Sequence, residues 1–354
     1  MTDFSTFAGR KVLVTGSTGF KGSWLCTWLK ELGAEVSGLA LPPEPDAPLF
    51  DQLKLRERID QHDGDIRDFD FVKSVFDKVR PEVVIHLAAQ ALVRLSYDIP
   101  KGTLDTNIGG GINLLEAIRG CESVKALVFI TSDKCYRNKE WDWGYRENDE
   151  LGGPDPYSAS KAAAELVFAT YHEAYFQKRD GFQAATTRAG NVIGGGDFSK
   201  DRIIPDCIRA LKNGDPIIVR NPVSTRPWQH VMEPLSGYLA VAEFLLAGNG
   251  EDRPSWNFGP DTENVRTVKE LAETAVEVWG SGTVDVQIDP NAPHEAKLLM
   301  LISDKAKSLL GWRPRWDFSQ AVTQTVDWYK QVENGTDPLE VTRTQIESYM
   351  GSNK

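Results

Sequence analysis

Tyr157 and Lys161, in Tyr157-Ser158-Ala159-Ser160-Lys161, stand four residues apart and so share one face of any helix that carries them. A phenol is a poor base near neutrality, its reference pKa being about 10. A neighbouring ammonium and a cationic cofactor ring favour the phenolate, and that lets a tyrosine take a proton from a hydroxyl. Pro154 and Pro156 precede the pair and mark a helix start. Ser132, at the carboxyl end of the apolar run Ala126–Thr131, can hydrogen-bond the same substrate oxygen. Tyrosine and lysine at this spacing are common on solvated helix faces, so their meaning depends on what else the chain supplies.

What it supplies is a glycine loop. Thr15-Gly16-Ser17-Thr18-Gly19-Phe20-Lys21-Gly22 follows the short apolar run Lys11–Thr15 and opens a helix expected from about Lys21 to Leu32, with Gly33 as its stop. Glycines at 16, 19 and 22 allow a tight turn and bring a pyrophosphate close to the positive helix N-terminus. The second strand, expected over Glu35–Leu41, ends in Leu39-Ala40-Leu41. It offers neither an acid for the ribose hydroxyls nor an arginine for a 2′-phosphate, so this strand leaves NAD and NADP both open. Asp65, in Gly64-Asp65-Ile66-Arg67-Asp68, is a candidate for the adenine amino group and equally for a helix cap.

Further elements must hold these groups. Glu82–Leu87 and Ala126–Thr131 read as buried strands, and Thr103–Arg119 as a helix despite its glycine triplet. Alternating strand and helix imply an α/β fold, a Rossmann-like doubly wound parallel sheet. Beyond about residue 190 the regularity falls and prolines accumulate. The expected division is a dinucleotide domain over 1–190 and a smaller mixed α/β substrate lobe over 191–354, with roughly 228–256 returning to the first domain.

Composition excludes other classes. With 51 acidic and 40 basic residues the net charge is -11, and no basic groove for nucleic acid is visible. Cys26, Cys121, Cys135 and Cys207 lie far apart without metal-ligand spacing, so buried free thiols in a reducing compartment are expected and no metal. His230 and His294 read as structural, and core packing is the reading for most of Trp141, Trp143, Trp228, Trp256, Trp312 and Trp316. The start Met-Thr-Asp-Phe-Ser lacks a secretory pattern and no apolar stretch spans a bilayer, which points to the cytoplasm.

Together, Thr15–Gly22 and Ser132, Tyr157 and Lys161 resemble the extended short-chain dehydrogenases/reductases that act on nucleotide sugars. His86-Leu87-Ala88-Ala89-Gln90 is similar to that group's strand-end element beside the cofactor, and Asn107 to its helix asparagine. Thr131-Ser132-Asp133-Lys134-Cys135-Tyr136 narrows the resemblance to the CDP-glucose 4,6-dehydratases, and the likeness continues through Gly190–Asp197, Arg226–Val231 and Gly311–Trp316.

The resemblance implies oxidation at C4 of a glucose, elimination of water across C5 and C6, and hydride return to C6. It implies Asp133 as the acid at the C6 hydroxyl and Lys134 in the base position at C5, a pair a simple epimerase does not need. It further implies NAD held by Gly16, Ser17, Gly19, Phe20, Lys21, Gly22, Asp65, Ile66, Ala88, Ala89 and Asn107, together with Tyr157 and Lys161. Asn191, Arg202 and Arg226 would hold the sugar diphosphate, and self-association would use helices of the large domain. Ser17 departs from relatives that often carry histidine, which implies weaker cofactor contacts. A dehydratase for another nucleotide, a 4-epimerase and a non-enzymatic cofactor-sensing module are the alternatives.

Overall fold

The computed structural model describes residues 4–199, 202–250, 254–288 and 299–351, so His294 and Met1–Asp3 lie outside the described residues. Apolar runs buried on both faces form the central strands β1 (Lys11–Thr15), β2 (Glu35–Ala40), β4 (Val83–His86) and β5 (Ala126–Ile130). Three more strands join them: β3 (Asp60–Asp63), β6 (Gln183–Ala189) and β7 (Ser255–Phe258). The result is one seven-stranded sheet in the order β7-β6-β5-β4-β1-β2-β3, every pairing parallel. Order reverses between β1 and β4, and Thr15 is in register with both Leu39 and His86. A crevice at the carboxyl ends of these strands is where a doubly wound sheet binds ligands.

Helices cover both faces. Among them are α1 (Phe20–Glu31), α2 (Phe69–Val79), α3 (Val93–Asp98), α4 (Pro100–Leu104), α5 (Gly110–Arg119), α6 (Pro156–Ala174), α7 (Ile203–Asn213) and α8 (Met232–Leu246). Trp24, Trp28, Leu235 and Leu239 pack on one face, and Val72, Phe76, Leu114, Phe129 and Phe168 on the other. The helix expected over Thr103–Arg119 starts at Pro100 and passes through a π-turn at Asp105–Gly109 before continuing as α5. Its glycines serve packing: a Cβ at Gly110 would lie 2.5 Å from Ile66 Cγ2. No helix among the described residues is long and apolar enough to cross a membrane.

After β6 the chain leaves the sheet, and α8 and β7 bring it back. Beyond β7 come α9 (Val268–Trp279), α10 (Phe318–Glu333) and α11 (Pro338–Gly351). All four cysteines are free and buried, and Trp228, Trp256, Trp312 and Trp316 are core residues, whereas Trp143 is exposed. His230 is buried against Trp24 and Trp316, and burial lowers its pKa to about 3. That is a structural histidine.

Glu233 joins α8 to the last helix. Its buried carboxylate accepts the N–H groups of Arg315 (3.0 Å) and Trp316 (2.8 Å) and the Tyr349 hydroxyl (2.7 Å). Burial outweighs these bonds and raises its pKa from 4.5 to about 7. With the folded value above the unfolded one, stability falls as pH rises from about 4.5 to about 7 and is flat above. Glu233→Gln keeps the backbone acceptor and removes the ionisation. The variant should therefore gain on the wild type by up to about 3 kcal/mol between pH 4.5 and 8. Denaturant unfolding across that range checks this, and parallel stability curves would refute it.

Candidate active site

The glycine loop turns where β1 ends. Gly16 has φ 73°, and a Cβ there would lie 2.8 Å from the Ala88 nitrogen. A Cβ at Gly22 would lie 2.0 Å from the Gly16 carbonyl oxygen, so only glycine lets α1 start this close to the turn. Gly19 is the N-cap of α1 and gives it no side-chain cap, which leaves first-turn N–H groups for an anion. The residues present thus fit a dinucleotide pyrophosphate. Ala88 and Ala89 border the loop at the end of β4, where Ala88 N–H donates to Thr15 Oγ1 (3.2 Å). Thr15 Oγ1 also meets Nδ1 of the buried His86 at 2.7 Å.

Several residues expected at the cofactor have protein partners of their own. Ser17 is buried and its hydroxyl donates to Gln61 Oε1 (2.8 Å), beneath which Gly38 leaves room. Asp65 pairs with the Arg67 guanidinium, which holds its carboxyl below the usual range. Asp65 does not cap the next helix; Asp68 does, accepting from Phe71 N–H (3.1 Å). Ile66 is buried against Gly110. Asn107 has its amide engaged on three sides, by Gln90 N–H (2.8 Å), the Gln90 carbonyl (3.1 Å) and Ser160 Oγ (2.8 Å). It therefore ties the π-turn to α6 beside Lys161.

Helix α6 begins cleanly. Asp155 caps it by accepting Ser158 N–H (2.9 Å), Pro156 occupies its first turn, and Tyr157 and Lys161 follow on one face. Both are buried. Burial pushes the Tyr157 phenol up to about 12, against the neighbouring Ser132 hydroxyl and the Arg202 charge, which both favour ionisation. Burial lowers Lys161 to about 8, with Cys135 and Glu165 opposing. Lys161 Nζ lies 6.0 Å from the Tyr157 ring centroid.

Ser132 leaves β5 in extended conformation and caps the short turn Asp133–Cys135. Its hydroxyl donates to Asp133 Oδ1 (2.8 Å) and accepts Lys134 N–H (3.3 Å). Asp133 is buried and Lys134 half-buried, so the pair is not an exposed surface ion pair. Lys21, half-buried in the first turn of α1, sits among these charges. Burial and the neighbouring Arg202 and Lys161 lower it to about 8, against Asp133 and Asp197. Arg202 itself pairs with the buried Asp197 at 2.9 Å.

The structure thus gathers Lys21, Ser132, Asp133, Tyr157, Lys161 and Arg202. Arg226 lies on the short ladder Thr225–Arg226 with Arg266–Thr267, its guanidinium donating to Ser224 Oγ and the Thr225 carbonyl. Asn191 adopts φ 52° just beyond β6, and its carbonyl accepts Gln229 N–H (3.1 Å).

Behind the site lies a buried network that the motif reading misses. Glu165, one turn after Lys161, receives Arg188 Nε and Nη2, each at 2.8 Å, and the hydroxyls of Thr131 and Thr186. Burial opposes its charge, yet these donors keep its pKa below the usual value. Arg188 continues to the Tyr136 hydroxyl (2.6 Å), which donates to Asn257 on β7 (2.8 Å). The network fastens α6 to β6, to β7 and to the residue that follows β5. Its only sequence signal is an acidic residue one turn beyond Lys161 and an arginine inside a strand.

Against known proteins, the profile of the GDP-mannose 4,6-dehydratase family matches residues 13–325. The chain belongs to that family. Within it, the chain is 46% identical to the CDP-glucose 4,6-dehydratase of Salmonella typhimurium, over 99% of each chain. It is 28% identical to the dTDP-glucose 4,6-dehydratase of Streptomyces antibioticus, over 93% of this chain and 95% of that one. Among solved structures, UDP-glucose 4-epimerase of Thermus thermophilus in complex with NAD matches with a TM-score of 0.75 at 28% identity, over 90% of this chain and 98% of that one. The family match begins at Leu13, inside β1, and runs into α10, so it takes in the glycine loop, Ser132–Lys134 and the Tyr157–Lys161 pair.

Proposed function

We propose that the chain removes water from CDP-glucose to give CDP-4-keto-6-deoxyglucose, with NAD on the glycine loop. The observation that carries this reading is the buried Asp133 carboxylate, 2.8 Å from Ser132 Oγ and beside Tyr157. An acid placed next to an oxidation triad has no task in a 4-epimerase, and an intact triad has none in a sensing module. The 46% identity to a CDP-glucose 4,6-dehydratase supports the choice of base.

Gly16, Gly19, Gly22 and the N–H groups of Phe20 and Lys21 would hold the cofactor, with Ala88, Ala89, Asp65 and Ile66 around it. NAD, when bound there, would supply the hydride acceptor for oxidation at C4 and the hydride donor for reduction at C6. Tyr157 takes the C4 hydroxyl proton, and Ser132 holds the same oxygen. The ketone acidifies C5–H, which Lys134 removes as the C5–C6 double bond forms, and the protonated Lys134, in exchange with solvent, returns a proton to C5 when C6 is reduced. Asp133 protonates the departing C6 hydroxyl, which leaves as water. Asn191, Arg202 and Arg226 bind the diphosphate, guanidinium geometry being suited to phosphate oxygens. These three belong to a substrate lobe made from the segments on either side of α8 and β7.

Four buried free thiols suit a reducing compartment such as the cytoplasm. Exposed Tyr97, Ile99, Leu104 and Leu166 lie on α3, α4 and α6 or at the α3–α4 junction, helices that pack together, and a second copy of the chain covers them.

Incubation with CDP-, dTDP-, GDP- and UDP-glucose in the presence of NAD tests the assignment. CDP-glucose should be converted fastest, with no net reduced cofactor released. A product that keeps its C6 hydroxyl would leave an epimerase or a simple dehydrogenase.

A further inference from the structure

Gly190 follows β6 directly, and the Asp133 carboxylate lies where a side chain at 190 would be. A Cβ there would stand 2.1 Å from Asp133 Oδ2, 2.3 Å from Cγ and 2.7 Å from Oδ1. Gly190 is not among the glycines with positive φ, so its backbone conformation is open to any residue. Space is therefore what demands glycine here.

Neither side of the contact can easily retreat. The Gly190 carbonyl accepts Gln229 Nε2 (3.2 Å), and the same nitrogen donates to the Phe258 carbonyl (3.0 Å). The next residue, Asn191, is held by Gln229 N–H. Gln229 is itself buried, so the 190–191 backbone is fastened from behind to β7. On the other side, Asp133 is fixed by the Ser132 hydroxyl and by the turn that Ser132 caps.

We infer that Gly190 is a positioning residue whose missing side chain seats the Asp133 carboxylate for elimination. The inference rests on the reading of Asp133 as the acid at the C6 hydroxyl. A methyl at 190 forces Asp133 to turn about its Cα–Cβ bond, which moves the carboxyl away from the leaving oxygen. The three atoms nearest to a Cβ at 190 all belong to Asp133 and none to Ser132, Tyr157 or Lys161, the groups that serve C4 oxidation. The change should divide the reaction at one step.

In single turnovers with CDP-glucose and NAD, Gly190→Ala should oxidise C4 near the wild-type rate and eliminate water roughly 100-fold more slowly, the loss expected for an ångström of misplacement. Asp133→Asn, measured alongside, should show the same division. If Asp133→Asn is impaired and Gly190→Ala eliminates normally, the seat is wrong and the acid stands. Normal elimination by Asp133→Asn removes the acid itself and overturns both.

A stability cycle reads the contact without chemistry and covers a Gly190→Ala variant too unstable to assay. Gly190→Ala should lower the unfolding midpoint, and adding Asp133→Ala should restore it by removing the clash. A double variant no more stable than Gly190→Ala would show that Asp133 does not occupy this space and would overturn the proposal.

Discussion

Tyr157→Phe is expected to lower turnover of CDP-glucose by roughly 10³-fold, the middle of the range for a positioned acid–base group. The substitution removes one hydroxyl from a buried ring and almost no volume, so NAD and CDP-glucose should bind nearly as before. Titration calorimetry for both ligands and steady-state turnover together check this. Near-normal turnover would show that another group takes the C4 proton.

The surroundings of Tyr157 add a pH signature. Burial drives the phenol up to about 12, while the neighbouring Ser132 hydroxyl favours the phenolate. Removing that hydroxyl in Ser132→Ala raises the phenol further. The base form then needs higher pH, and the acidic limb of the kcat profile should move upward. An unmoved limb would mean that Ser132 does not set the ionisation of Tyr157.

Lys134→Met should block elimination as thoroughly and leave the earlier step intact. The lysine sits in the short turn capped by Ser132, one residue beyond Asp133, so a methionine of similar length should preserve the turn. Removing a general base costs on the order of 10²–10⁴-fold. The readout is isotopic. Wild-type enzyme acting on CDP-glucose deuterated at C4 should deliver the deuterium to C6 of the same sugar and take one solvent hydrogen at C5. Mixed labelled and unlabelled substrate should show little crossover, because the redox cycle closes before release. Lys134→Met should oxidise C4 once and stop, with C5 hydrogen retained. Exchange of C5 hydrogen at the wild-type rate in this variant would place the base elsewhere.

Much of this protein can be read along the chain because the signals are local. β1, β2, β4 and β5 are apolar runs doubly buried in a parallel sheet, and each lies within a residue or so of the span its composition marks. The glycine loop and the Tyr157–Lys161 spacing carry their meaning in a few consecutive positions. Even the π-turn stays inside the helix that periodicity marks over Thr103–Arg119.

Other elements are silent in the sequence. β3 reads Asp-Gln-His-Asp and is a strand only because it pairs along the outer side of β2. β6, rich in alanine and threonine, is buried by α6 and α8 and not by its own hydrophobicity. Asp65 looks like a cap, but Asp68 is the residue whose carboxylate meets the free N–H groups of α2. Positions 133 and 190 are 57 residues apart, as the numbering shows, and nothing in either segment announces that one must be empty for the other to fit. Periodicity and spacing report on the neighbourhood of a residue along the chain. Exclusion of one atom by another, and the burial that moves Glu233, Lys21 and Tyr157 away from their ordinary pKa values, arise only when distant segments are packed together.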